Sequence, residues 1–385
     1  MIRGTATALA LLLAAPALAA PETAAPKTGA QPSGPGGAAD GQGVDIRTEL
    51  WPSGKIRSER HFLDGHEVGL SRRWSREGAL IRETRFSDDG KVLHDRHWKD
   101  GTLVHERLPV TVEGHGAGEK IVERYGRITE TDIRAEGYRL TTRHRGDELI
   151  DRSEVIDGRI QGRYLHTGRI DNDVTRATYV DNQPHGLFTR TWQGETLERG
   201  MYDHGTRIGE WLRVERYGTT IHEVYDPEGR LDGPRREIGM NGQLRRLETY
   251  VHGTLDGPWE ERDREGRLLS GGAWSDGEKT GPWREAVPYG EEYWQGSYVA
   301  GARNGPWERR DAQGYRLERA RYEDGTRDGL RYLFRPDGAV GEVQSWKAGE
   351  RHGPTTYYED GRPVGRDLWR DGRSVAGGGR AMEAE

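Results

Sequence analysis

The 385 residues contain no cysteine. That excludes disulfide-stapled domains, thiolate zinc sites, thiol nucleophiles, iron–sulfur clusters and Cys-anchored lipoproteins. Aliphatic bulk is scarce as well. Leu, Ile, Val and Phe together supply 65 residues, 17% of the chain. A share below roughly 20% signals disorder only when net charge is also high. Here 58 basic residues stand against 64 acidic ones, leaving −6. Lysine is rare, at 7 of the 58 basic residues. Past residue 20 no segment reaches the ~18 apolar residues of a membrane span. A negative net charge without a polybasic run disfavours nucleic acid and anionic membrane surfaces. In place of these features the chain has 56 Gly, 12 Trp and 16 Tyr. So many aromatics argue for a folded chain.

The N-terminus is expected to be an address. Arg3 supplies a positive start, Ala6 to Ala15 is apolar but too short to span, and Ala17-Leu18-Ala19 offers small residues for cleavage. Residues 1–19 are therefore read as a signal peptide. Residues 20–44, rich in Ala, Pro and Gly, form a linker unable to bury a core. The mature protein is expected in the periplasm or outside the cell. Residues 373–385 read as a frayed tail.

The remainder is periodic. Gly162, Gly186, Gly209, Gly233, Gly257, Gly281, Gly305, Gly329 and Gly353 are spaced by 24, once by 23. Gly194, Gly218, Gly242, Gly266, Gly290, Gly314 and Gly338 are always 24 apart. An aromatic register runs through Tyr179, Tyr202, Tyr225, Tyr250, Trp274, Tyr298, Tyr322, Trp346 and Trp369. Earlier, Gly54 and Gly78, Phe62 and Phe86, and Trp74 and Trp98 keep the same period. Residues 45–102 and 161–372 are thus regular repeats. Residues 103–160 are read as degenerate repeats or an insertion.

One unit, Gly257 to Thr280, shows the construction. Gly257-Pro258 opens a short run, Arg264-Glu265-Gly266 is a turn, Arg267 to Trp274 is a second run, and Ser275-Asp276-Gly277 is a second turn. Two such runs around a turn predict a β-hairpin. Tyr164, Phe188, Trp211, Trp259, Trp283 and Trp307 fall in one slot of the first run. Stacked hairpins align them into rows, the core this composition allows, and each hairpin leans on its neighbours. The expected fold is all-β: an elongated antiparallel sheet of tandem 24-residue β-hairpin repeats. Propeller repeats are longer, at ~40–45 residues. The row residues Trp211, Trp259, Trp283, Trp307, Tyr250, Trp274, Tyr298, Tyr322 and Trp346 are the candidate site, read first as core and second as a binding surface.

Gly257-Pro258-Trp259, Gly266-Arg267-Leu268, Trp274-Ser275-Asp276-Gly277 and Gly281 resemble a MORN-repeat variant. More narrowly, they resemble the repeats of YwqK-family antitoxin proteins of toxin–antitoxin systems. The likeness spans about Asp45 to Gly372. It implies a scaffold that binds proteins, and sometimes lipids. The antitoxin label implies neutralising a toxin, and with an export segment this becomes an immunity-like role outside the cytoplasm.

Catalytic and cofactor motifs fail on inspection. Gly272 to Thr280 nearly spells a phosphate loop, but Glu278 separates Gly277 from Lys279. Gly114 to Gly118 lacks dinucleotide-loop spacing. His94 and His97, three apart on a strand, face opposite sides. His66-Glu67, His105-Glu106 and His222-Glu223 lack the second His of a zincin. Asp276-Gly277 and Asp324-Gly325 are turn chemistry and lack the ladder of a calcium loop. No catalytic residue, cofactor or metal ligand is assigned. The reading is an exported, non-enzymatic scaffold with a protein partner. The alternatives are an immunity-like protein, a glycan binder, and an envelope enzyme whose His115 and His144 would converge in a cleft.

Overall fold

A computed structural model describes residues 43–168, 172–215, 217–288 and 291–378. The expected signal peptide, nearly all of the expected linker and residues 379–385 of the expected tail lie outside the described residues. Among the described residues there is no helix. Thirty-three strand segments form one antiparallel sheet in which successive strands pair along the chain, each two-residue piece counted with the strand that follows it. Four segments are two-residue pieces set off by one residue from the strand that follows, as with Thr254–Leu255 before Gly257–Arg262. The first strand, Asp45–Leu50, pairs on one side with Ile56–Leu63; the last, Arg373–Gly378, pairs with Arg362–Arg370. Neither edge pairs with the other, so the sheet is open. At ~4.8 Å between strands it runs well over ~100 Å along its pairing direction.

The turns follow directly from the sequence. Asp276-Gly277 joins Ser275 to Glu278 with φ of 49° and 81°. Both central residues are left-handed, as a two-residue hairpin turn of the right twist requires, and glycine adopts this freely. At the other end of the hairpin, Asp263 Oδ1 accepts the amides of Glu265 (3.0 Å) and Arg267 (2.8 Å), closing a wider loop. Asp311 repeats this with Gln313 and Tyr315.

The strand boundaries vary between units, and one differs from the expectation. Gly257-Pro258 opens its strand, Gly257–Arg262, as expected, whereas the equivalent Gly281-Pro282 of the next unit lies in a strand that begins at Glu278. The pair sits inside the strand, opposite a register shift between Gly271 and Ala273. Pro282 brings no N–H to the ladder, and a bulge is where a strand tolerates that. The expected tail starts later, because Arg373–Gly378 forms the closing strand. Residues 103–160 hold no inserted element. Strands Thr102–Val112, Gly116–Tyr125, Ile128–Ala135, Tyr138–Arg145 and Glu148–Ile156 continue the same meander.

Among the described residues only ten apolar side chains are buried, too few for two packed layers. The sheet is a single layer, and its stability lies in rows across one face. At three positions of the C-terminal array the row is tryptophan laid over glycine. A Cβ on Gly200, Gly272 or Gly296 would fall 2.1–2.3 Å from the rings of Trp211, Trp283 and Trp307 respectively. Those three indoles are 3%, 4% and 0% exposed. Each Nε1–H donates to a carbonyl ten residues earlier: Met201 (3.1 Å), Ala273 (3.0 Å) and Ser297 (3.1 Å). Thus the bulge exposes an acceptor, the indole satisfies it, and glycine makes room for the ring.

Candidate functional site

The densest part of the row opens into a cleft of about 560 Å³ lined by Trp259, Trp274, Trp283, Trp294, Lys279, Glu285 and Arg303, with Ser270 and Ala286 to Pro288 completing the wall. Its residues come from five successive strands, Gly257–Arg262 through Ala302–Arg310. Trp283 lies at the centre. Trp259 stacks on it at 5.7 Å and 28°, while Trp274 and Tyr298 meet it edge-on at 5.7 and 5.8 Å. The Trp274 Nε1–H is buried without an acceptor.

Charge is arranged over the rings. Lys279 Nζ sits 4.3 Å from the centre of the Trp283 ring, and the Arg303 guanidinium sits 4.1 Å from that of Trp307. Both cations reach the same carboxylate: Glu285 accepts from Lys279 (2.5 Å), Arg303 (2.7 Å) and the Tyr298 hydroxyl (2.8 Å). Burial pushes the Glu285 pKa upward, yet those three donors outweigh it and hold the carboxyl below its usual value. A carboxylate kept ionised in this way is set up to pair with cations and is the opposite of a general acid poised near neutrality. The cluster retains one positive charge, suited to an acidic or aromatic side chain entering the cleft.

The sequence-selected aromatics separate into groups. Trp259, Trp274, Trp283 and Tyr298 converge at the cleft. Trp307 and Tyr322 (7% exposed) do not line it but continue the buried cluster beyond Trp283, their rings 6.4 Å apart. Trp211 belongs to a separate cluster with Phe188 and Tyr202. Tyr250 and Trp346 are half-buried elsewhere, the first donating to Glu248 and the second to Gln344. The shared slot is not purely aromatic. Arg235 and Arg331 occupy it in their units, each among acidic or amide partners: Glu223, Glu237 and Glu248 for the first, Glu318 and Gln344 for the second.

Trp294, Glu285 and the cation register escaped the sequence reading. The register was nonetheless readable, because Lys279, Arg303, Arg327 and Arg351 are each 24 apart. Arg327 and Arg351 lie 5.2 and 4.7 Å from the ring centres of Trp346 and Trp369. Within a chain so rich in arginine this row did not stand out.

His115 and His144 do not converge. His115 lies in the turn beside Glu136, with its ring 4.9 Å from Tyr138. His144 is six residues along that strand, opposite Thr129. His94 and His97 diverge as expected, His94 toward Glu106 and His97 toward Asp95. A second trough of about 470 Å³ lies between Leu93, Leu108, Pro109 and Ala135, and its charged Arg107 and Glu119 pair with each other at 2.6 Å.

No protein-family model and no curated protein matches the chain. A solved structure titled "Crystal Structure of TcdB2-TccC3-TEV" is similar over 88% of this chain at 11% identity, with a TM-score of 0.13. The chain spans 23% of that structure's chain. Among the described residues no helix is long and apolar enough to cross a membrane.

Proposed function

We propose that this chain is an exported, non-catalytic scaffold of the MORN-repeat kind that binds a protein partner, with the Trp259–Trp274–Trp283–Trp294 cleft as its anchor point. The observation that carries this reading is the cleft itself: partly covered indoles, a buried indole N–H without an acceptor and two cations over the rings, held on paired strands. Tryptophan and arginine dominate the energetic centres of protein interfaces. The row extends the contact across neighbouring repeats, so weak spaced contacts add through multivalency. Neutralisation of a toxin outside the cytoplasm is one form this binding takes. The wide separation of His115 from His144 supports a scaffold over an envelope enzyme. A glycan platform needs flat, exposed rings, and the near-complete burial of Trp211, Trp283 and Trp307 weighs against it.

Affinity capture from envelope extract, read by mass spectrometry, tests the proposal. A partner enriched by the full mature chain is expected to fall at least ~10-fold when Trp259→Ala removes one half-buried wall, since anchor truncations cost ~2 kcal/mol or more. It is expected to survive Ile46→Ala on the far edge strand. No enrichment, or enrichment indifferent to Trp259→Ala, would overturn the assignment.

A further inference from the structure

Far from the cleft, on the strand pair Val92–Lys99 and Thr102–Val112, two histidines face each other across the ladder: His97 pairs directly with His105. Their rings lie 4.7 Å apart. Asp95, two residues before His97 and on the same face, is 7% exposed, and its Oδ2 lies 3.1 Å from His97 Nε2. One donor atom from each of the three residues falls within 4.8 Å of the others. We propose that Asp95, His97 and His105 form a binding site for a divalent first-row transition-metal ion, zinc being the representative case.

Two imidazoles and a carboxylate suit such an ion, and three protein donors leave a fourth position open. The surrounding groups orient the donors. Glu123 Oε1 lies 2.6 Å from His105 Nδ1, so a proton held there leaves the Nε2 lone pair free, the usual support for a metal-bound histidine. Thr84 Oγ1 donates to Asp95 Oδ1 at 2.7 Å, and Arg82 donates to both oxygens at 3.0 Å, which fixes the carboxylate plane. Around the imidazoles three carboxylates, Asp95, Glu119 and Glu123, stand against two guanidiniums, Arg82 and Arg107, the latter opposite Asp95 and paired with Glu119. The excess negative charge favours a dication. The other candidate triad, His185, Asp203 and His204, sits on an exposed turn, and there the His204 amide already donates to His185 Nδ1. It serves as an internal control.

The test titrates the full chain, freed of metal by chelator, with ZnCl2 in a calorimeter. One binding event is expected. His97→Gln and His105→Gln should each weaken it at least ~10-fold, and Glu123→Gln, which spares the donor set, should weaken it by ~10-fold or more. The pair His185→Gln/His204→Gln should leave it unchanged. Loading with Co²⁺ should produce the intense visible absorption of a low-symmetry site, lost in the same variants. If a ligand variant fails to fold by circular dichroism, Glu123→Gln carries the readout. Absence of a zinc event in the unaltered chain would overturn the site. So would undiminished binding after His97→Gln/His105→Gln, or a loss that instead tracks His185 and His204.

Discussion

Residues 56–99 and residues 200–322 build the same backbone object from different side chains. In the first stretch the buried row is polar: Ser58, Ser71, Thr84 and Asp95 lie on successive strands at 3–8% exposure. Hydroxyls there donate to carboxylates, Ser58 to Glu49 and Thr84 to Asp95. In the second stretch the most buried positions of the row, Trp211, Trp283 and Trp307, are indole over glycine. Strand pairing is a backbone matter, so either row supports it. What differs is tolerance. A hydroxyl–carboxylate pair needs only its partner within reach, whereas an indole needs a glycine beneath it, a freed carbonyl beside it and a cation above. The more partners a residue requires, the more faithfully the repeat must be copied.

The largest effect should come from the indole row. Trp307→Ala removes a side chain with no exposure, and a loss of ~3–5 kcal/mol is expected in a denaturant melt. Trp283→Ala should behave alike. A near-neutral result would mean these rings are a platform and not a core. A smaller loss, ~1–3 kcal/mol, is expected for Gly296→Ala, because the new methyl meets the Trp307 ring at 2.2 Å. The matching change in the polar row, Ser71→Ala, should cost less than either. Equal costs would erase the contrast between the regions.

The smallest effect concerns acid. Burial of Asp95 works to raise its pKa, but Arg82 and Thr84 outweigh it and hold it below the ordinary value. A carboxyl that binds its proton less readily folded than unfolded stabilises the fold above the unfolded value of ~3.9. That contribution fades as pH falls through the folded value. Amide exchange across Leu80–Arg107 should therefore quicken below about pH 4. Asp95→Asn should flatten that dependence, while leaving the acid response of the indole row, where Glu285 is likewise held low, as it was. An unchanged dependence in Asp95→Asn would assign the effect to other carboxylates.

Much of this was legible in the sequence. The 24-residue period, the hairpins, the shared aromatic slot and the Asp-Gly turns all followed from residue spacing. The glycine–indole fit was also present, since Gly200, Gly272 and Gly296 each precede their tryptophan by 11 residues. It acquires meaning only once the strands are paired. His105 beside His97 was hidden for the same reason. The strand period tells which residues share a face, but the partner across the ladder depends on register, and the irregular step between His97 and Trp98 is not written in the spacing. Lys279 and Arg303 were masked by abundance, and Arg235 and Arg331 by taking a slot that elsewhere holds an aromatic.

Because the two edges never meet, nothing in the architecture counts its own units. A closed ring admits one copy number; an open meander admits any. Excising or duplicating one 24-residue segment, such as Gly257 to Thr280, would shorten or lengthen the ribbon by about 10 Å while each surviving hairpin kept the kind of neighbours it had. The protein is in that sense a ruler, and its reach can be reset by recombination alone.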